Sequence, residues 1–253
     1  MTRARRALIV FPLLAVIGCS SNGASTSPTS PVPAGRGSTR VLMLTATAAF
    51  RHESIPAARQ AMAGLAASSG EFSLTATEDV SSLSADNLRA YDVVMFALTS
   101  GELPLSTAEQ AALLDFVTSG HGFIGIHSAT DTLYEWRDYG RLIGAYFREH
   151  PWTQQGTVIV EDPSHPAAAG VGDRFSILEE FYTFQENPRG RVHVLLRVDA
   201  ASVGATGDYP LAWVQPFGAG RVYYNALGHF SETWNDARFQ RQLAAAIRWA
   251  AFR

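Results

Sequence analysis

Tyr91 to Thr99 (YDVVMFALT), Thr107 to Thr118 (TAEQAALLDFVT) and Gly122 to His127 (GFIGIH) together decide the fold. The first and third are short apolar runs without alternation, the pattern of strands buried on both faces. The second carries apolar residues at helical spacing, with Thr107 near its start and Gly120 just beyond its end. A strand, a helix and a strand of these lengths predict a parallel β-α-β unit with the crossover on one face of a sheet.

The same alternation extends upstream. Arg40 to Thr45 reads as a strand, Ile55 to Ala67 as a helix, Phe72 to Thr77 as a second strand and Ser84 to Arg89 as a short polar helix. Downstream, Trp136 to Phe147 is expected to be a helix that His150 closes. Strands follow at Thr157 to Glu161, Phe175 to Phe184, Val192 to Val198, Leu211 to Gln215 and Arg221 to Ala226, and Ala237 to Phe252 reads as an amphipathic helix. The expectation is an α/β domain over residues 39–253, with a mostly parallel central sheet flanked by helices and an antiparallel excursion.

The chain before residue 39 has another character. Arg3, Arg5 and Arg6 precede an apolar run, Ala7 to Ile17, which is too short to span a bilayer as a helix. The run ends at Val16-Ile17-Gly18-Cys19, which resembles the cleavage and acylation site of a bacterial lipoprotein. Residues 1–18 are therefore expected to be a signal peptide, and Cys19 an acylated first residue that anchors an exported protein to a membrane. Residues 19–38, rich in Ser, Pro, Gly and Thr and without an aromatic residue, are expected to be a flexible tether.

Composition narrows the chemistry. All 20 basic residues are arginine, which removes lysine Schiff-base chemistry and a phosphate-loop lysine. The 23 acidic residues leave a net charge of −3 and no basic patch for a phosphate backbone, so no nucleic-acid partner is expected. Cys19 is the single cysteine, so no disulfide can form within the chain.

Ligands of open α/β sheets bind beyond the carboxyl ends of the strands. His52 follows the first strand, His127 ends the fourth and His229 follows Arg221 to Ala226, so these three imidazoles are candidates for one shared site. Glu179-Glu180-Phe181-Tyr182 adds carboxylates to an otherwise apolar strand. Neighbouring strand residues face opposite sides, so one of the two acids can enter a given pocket, and Glu180 is preferred. Asp131 and Trp136 could line the same mouth. A hydrolase triad of Ser128, His229 and Asp131 is an alternative, although the elbow position itself holds His127. The G-x-G-x-x-G letters from Gly120 to Gly125 follow a helix and become a strand, the reverse of a dinucleotide site. No paired-cysteine or H-E-x-x-H pattern exists, so any metal would need ligands from distant segments.

The motifs Phe50-Arg51-His52, Gly122 to His127, Gly144 to Phe147 with His150-Pro151, Glu180-Phe181-Tyr182, and Gly220-Arg221-Val222 with Leu227-Gly228-His229 resemble, in this order, the ThuA-like family, named for trehalose utilisation. The resemblance covers residues 39–253. It implies a flavodoxin-like fold of the class I glutamine amidotransferase type, whose nucleophilic cysteine and base histidine correspond here to His127 and His229. With no cysteine in the domain, thiolate chemistry on glutamine is excluded. The resemblance further implies an enzyme acting on trehalose, a related disaccharide or a keto derivative. His127, His229, Glu180 and His52 would then be its acid and base groups or the ligands of a divalent metal such as zinc, and Arg51, Asp131, Trp136, His150 and Tyr182 would hold the carbohydrate. The alternative is a lipoprotein that binds carbohydrate without converting it.

Overall fold

The structure, a computed structural model, describes residues 38–251. The expected signal peptide, Cys19 and the tether up to residue 37 lie outside the described residues.

The first half builds the predicted β-α-β units. β1 (Thr39–Leu44), α1 (Ile55–Ser69), β2 (Phe72–Thr77), the short α2 (Ala85–Leu88), β3 (Val93–Ala97), α3 (Thr107–Thr118) and β4 (Gly122–Ile126) follow one another. Every residue of β3 and β4 is buried, as their uninterrupted apolar sequences require. Local signals set the helix ends. Ser106 caps α3 in a reciprocal capping box with Glu109, and Gly70 closes α1 at φ 66°.

The second half departs from the expected pattern. α4 (Arg137–Ile143) stops at Gly144, whose φ of 98° favours glycine, and the chain then runs as one long strand, β5 (Phe147–Val160). The predicted helix therefore ends before Phe147, and His150 lies on a strand. β6 (Arg174–Phe184), β7 (His193–Val198), β8 (Pro210–Phe217) and β9 (Gly220–Asn225) follow, then α5 (Ser231–Asn235) and α6 (Ala237–Ala250).

The nine strands form one sheet in the order β2-β1-β3-β4-β9-β8-β7-β5-β6. Strands β2, β1, β3, β4 and β9 are parallel, and each pairing from β9 to β6 is antiparallel. The sheet is thus mixed, not mostly parallel. The physical reason is connection length: no helical crossover separates β5 to β9, and β8 turns into β9 through Gly218-Ala219 alone, which permits only antiparallel pairing.

Two features of this topology create the site. β9 returns to pair in parallel with β4, so the loops after both strands open at the same sheet end. In addition, β5 pairs with β7 only at Val158 to Val160, whereas it pairs with β6 along most of its length. The early part of β5 and the late part of β6 therefore leave the sheet as a two-stranded ribbon. Register shifts near Glu149 mark irregularities in its ladder, the kind of feature that bends a strand pair.

Candidate functional site: a histidine and glutamate cluster

Five strand spacings separate β6 from β4 in the sheet order, about 24 Å if the sheet were flat. Ligand-type atoms of His52, His127, Glu180 and His229 nevertheless all lie within 4.8 Å of one another. The ribbon must arch over the carboxyl ends of the parallel strands to bring Glu180 there.

Each loop is held in place. After β1, Ser100 Oγ donates to the Phe50 carbonyl at 2.6 Å, and Ser54 Oγ donates to the Gly228 carbonyl at 3.2 Å, tying the His52 loop to the His229 loop. After β4, His127 opens a tight turn at φ 54°, a left-handed conformation costly for a residue with a Cβ. After β9, the loop is gripped by Glu179, whose carboxylate accepts from Gly228 N at 2.9 Å, His229 N at 3.1 Å and Thr233 Oγ1 at 2.6 Å.

His127 lies at the centre of the cluster. Its Nδ1 lies 2.7 Å from the Ala226 carbonyl and can only donate there, so in the neutral ring Nε2 carries a lone pair facing the site. Facing that nitrogen are His52 Nε2 at 3.1 Å, the Tyr182 hydroxyl at 3.0 Å and Glu180 Oε2 at 3.6 Å. Glu180 Oε2 is also 3.1 Å from His229 Nδ1, and its Oε1 is 3.2 Å from His150 Nδ1. The approach of His229 Nδ1 is close enough for charge attraction, yet its alignment is not that of a hydrogen bond, which leaves this buried nitrogen without such a partner.

The electrostatics follow from this crowding. Burial, reinforced by the neighbouring His127 and His229 rings, pushes the His52 imidazole down to about 3, so it is neutral near pH 7. Burial alone would raise Glu180, but its contacts with His127 and His229 outweigh that and hold the carboxyl well below the usual range. Burial would likewise lower His229, and the Glu180 carboxylate beside it outweighs that and raises the imidazole. Burial raises the Tyr182 hydroxyl far above its ordinary value, so it is present as a donor.

The other candidate positions divide. Tyr182 and His150 reach the cluster, and His150 is 49% exposed on its side chain, at the solvent edge. The guanidinium of Arg51 instead grips Glu78, at 2.8 and 3.0 Å. Asp131 accepts from the Tyr134 hydroxyl at 2.7 Å, and burial raises its carboxyl. Trp136 stacks on Tyr139 at the start of α4. The triad alternative is not assembled: Ser128 Oγ lies 3.5 Å from His52 Nδ1, while His229 Nδ1 faces Glu180. Sequence reasoning overlooked the loop-holding role of Glu179 and its bond to Thr233. It also passed over Phe50, 61% exposed with its ring edge-on to His52 at 4.7 Å.

The family described as ThuA, trehalose utilisation, matches residues 40–250. Among solved structures, a ThuA-like protein from Bacteroides uniformis shares 23% identity over 88% of this chain and 95% of its own, with a TM-score of 0.71. A ThuA-like protein from Parabacteroides merdae shares 17% identity over 85% and 90%, also with a TM-score of 0.71. A β-galactosidase from Bacillus circulans sp. alkalophilus shares 14% identity, covering 84% of this chain and 31% of its own, with a TM-score of 0.56. At these identities the likeness is one of fold. Among curated proteins, no sequence matches significantly.

Proposed function

The chain belongs to the ThuA family, described by trehalose utilisation, and from that premise we propose that it is an enzyme converting trehalose, a related disaccharide or a keto derivative of one. The observation that carries this reading is the convergence of His52, His127, His229 and Glu180 at one end of the sheet. Binding a sugar needs hydroxyl partners and an aromatic face, whereas three imidazoles around a carboxylate supply groups that give and take protons. His229 and Glu180 act as the proton-transferring pair. His127, held by the Ala226 carbonyl, presents its free Nε2 to the reacting group, and Tyr182 donates beside it. His150, at the solvent edge, meets the sugar hydroxyls.

The fold is read as that of class I glutamine amidotransferases with the chemistry changed. The position that holds their nucleophilic cysteine carries His127, and Cys19 lies outside the domain. The reading also includes export, with residues 1–18 removed and Cys19 acylated, so that the domain works on the periplasmic or extracellular side of a membrane. A second reading, carbohydrate binding without conversion, is favoured by the exposed ring of Phe50, which offers a sugar an apolar platform beside His52.

The test is an assay of the wild type, His127→Ala and His229→Ala on trehalose and keto-disaccharide substrates. Turnover that both substitutions abolish supports the enzyme. Saturable sugar binding with no conversion supports the second reading, and turnover indifferent to both substitutions removes the site.

A further inference from the structure

We propose that the hollow beside α4, lined by Arg137, Arg141 and Arg191, binds a small organic anion whose carboxylate or phosphate group the guanidiniums hold. This goes beyond the enzymatic reading and does not depend on it, since no residue lining the hollow belongs to the histidine and glutamate cluster.

The first argument is shape. The hollow has a volume of about 560 Å³, within the roughly 300–1,000 Å³ of small-molecule sites. It lies between one face of α4, the chain leading into β5, the turn after β6 and Gln215 of β8. Two of its lining positions have no room for a side chain. A Cβ at Gly140 would lie 2.5 Å from the Tyr146 ring, and one at Gly144 would lie 2.7 Å from the Trp213 indole nitrogen. The helical wall beside the arginines is therefore bare backbone.

The second argument is charge. Arg137, Gly140, Arg141 and Gly144 follow the spacing of one helix face, which sets two guanidiniums side by side, an unfavourable pairing unless an anion joins them. The side chain of Arg137 makes no hydrogen bond or ion pair among the described residues. Arg141 pairs with Asp138, and Arg191 pairs with Glu186 at 2.7 Å, through side chains 43% to 75% exposed. Ion pairs this exposed contribute little, so a ligand can take the place of either carboxylate. Three guanidiniums and two carboxylates leave the hollow net positive, in a chain whose net charge is −3.

The third argument concerns the helix end. Unpaired carbonyls at the carboxyl end of a helix repel an anion. Those of α4 are taken: Gln215 Nε2 donates to Arg141 at 3.0 Å and to Leu142 at 2.7 Å, Trp213 Nε1 donates to Ile143 at 2.9 Å, and Arg191 Nη2 donates to Gly144 at 3.4 Å. The body of the ligand meets the Tyr146 ring and the amides of Gln185 and Gln215, which suit hydroxyl groups. An anion with a hydroxylated body therefore fits better than one with an alkyl chain.

The experiment titrates the full-length chain, purified in detergent, with glucuronate, glucose 6-phosphate, inorganic phosphate and neutral glucose by calorimetry. The expected result is one glucuronate or glucose 6-phosphate per chain, bound more weakly as salt is raised and not displaced by glucose. The tighter of the two identifies the group held as carboxylate or phosphate. Arg137→Gln and Arg191→Gln should each weaken that binding about tenfold or more, whereas His229→Ala leaves it unchanged. Circular dichroism checks that the variants fold, and should one fail, Arg141→Gln replaces it. No saturable binding of either organic anion, or folded arginine variants that bind like the wild type, would overturn the proposal. So would loss of binding in His229→Ala alone, which places the anion in the cluster, and inorganic phosphate bound as tightly as both organic anions, which marks an adventitious ion only. Sugar turnover enters none of these readings, so the enzymatic reading can fail without touching this one.

Discussion

Glu179 and Glu180, adjacent on β6, send their carboxylates to opposite sides of the strand. Glu179 accepts from the backbone of Gly228 and His229 and from Thr233, whereas Glu180 contacts the rings of His127, His150 and His229. One acid holds the loop and its neighbour enters the cluster, a direct consequence of the two-residue period of a strand.

The two should therefore respond differently to the same isosteric change. Glu179→Gln places an amide NH₂ where backbone donors converge and should cost about 1–3 kcal/mol of stability, read by urea unfolding. Glu180→Gln should lower sugar turnover by about 10²-fold or more, and because its carboxyl is held well below the usual range in the folded state it should also lower stability near neutral pH. If Glu179→Gln unfolds like the wild type, the carboxylate is not what holds the His229 loop.

The backbone at His127 makes a second prediction. At φ 54° a Cβ is strained and glycine is not, although glycine loses more chain entropy on folding. Both His127→Ala and His127→Gly should lose turnover, but the glycine variant should be at least as stable as the alanine variant, by up to about 1 kcal/mol. A glycine variant clearly less stable than alanine in thermal unfolding would mean that the turn relaxes once the imidazole is gone.

The parallel half of the fold was readable because β3 and β4 are continuous apolar runs and Gly120 lies just beyond a helical run. The ribbon was not. Phe147 to Gly156 reads FREHPWTQQG, polar, without alternation and interrupted by Pro151, because it pairs only with β6 and is largely exposed. Candidate site residues at strand ends were legible for the same reason as the strands. His52, His127 and His229 each follow a recognisable run and Glu180 stands out as an acid in an otherwise apolar strand, whereas the arch of the ribbon that carries Glu180 to them is a tertiary fact with no local signal. Arg51 is the opposite case, since its proximity to His52 in sequence could not reveal that its guanidinium pairs with Glu78.

Asp236, which caps α6 by accepting from Arg238 N at 2.7 Å, gives a pH-dependent prediction away from the site. Its bonds to the Arg238 side chain and backbone hold its carboxyl below the ordinary 3.8. A carboxyl depressed in the folded state stabilises fully above its unfolded value and loses that contribution as pH falls through the folded one. Asp236→Ala should therefore cost about 1 kcal/mol near neutral pH, and the gap from the wild type should close in acid below pH 3.8. Unfolding curves collected at several pH values would show it, and a gap that stays constant into strong acid would mean that the charge is not what caps the helix.

The N-terminal segment makes the last prediction. A single acyl chain gives marginal membrane binding, whereas the diacylglycerol expected on Cys19 supplies two chains, enough for stable anchoring. Wild-type protein should therefore sediment with membranes in a Gram-negative host and stay there through a high-salt wash, since the attachment is apolar rather than ionic. Cys19→Ala removes the thiol that would accept the lipid and should also block cleavage, because the processing enzyme acts after acylation. The variant is then expected as an uncleaved precursor, heavier by the mass of the 18-residue leader and free of acyl mass. An uncleaved leader could itself hold some protein at the membrane, so fractionation alone does not decide. The decisive reading is the mass of the N-terminal peptide: a diacylated Cys19 in the wild type and none in the variant. An unmodified Cys19 in wild-type protein recovered from membranes would remove the anchor.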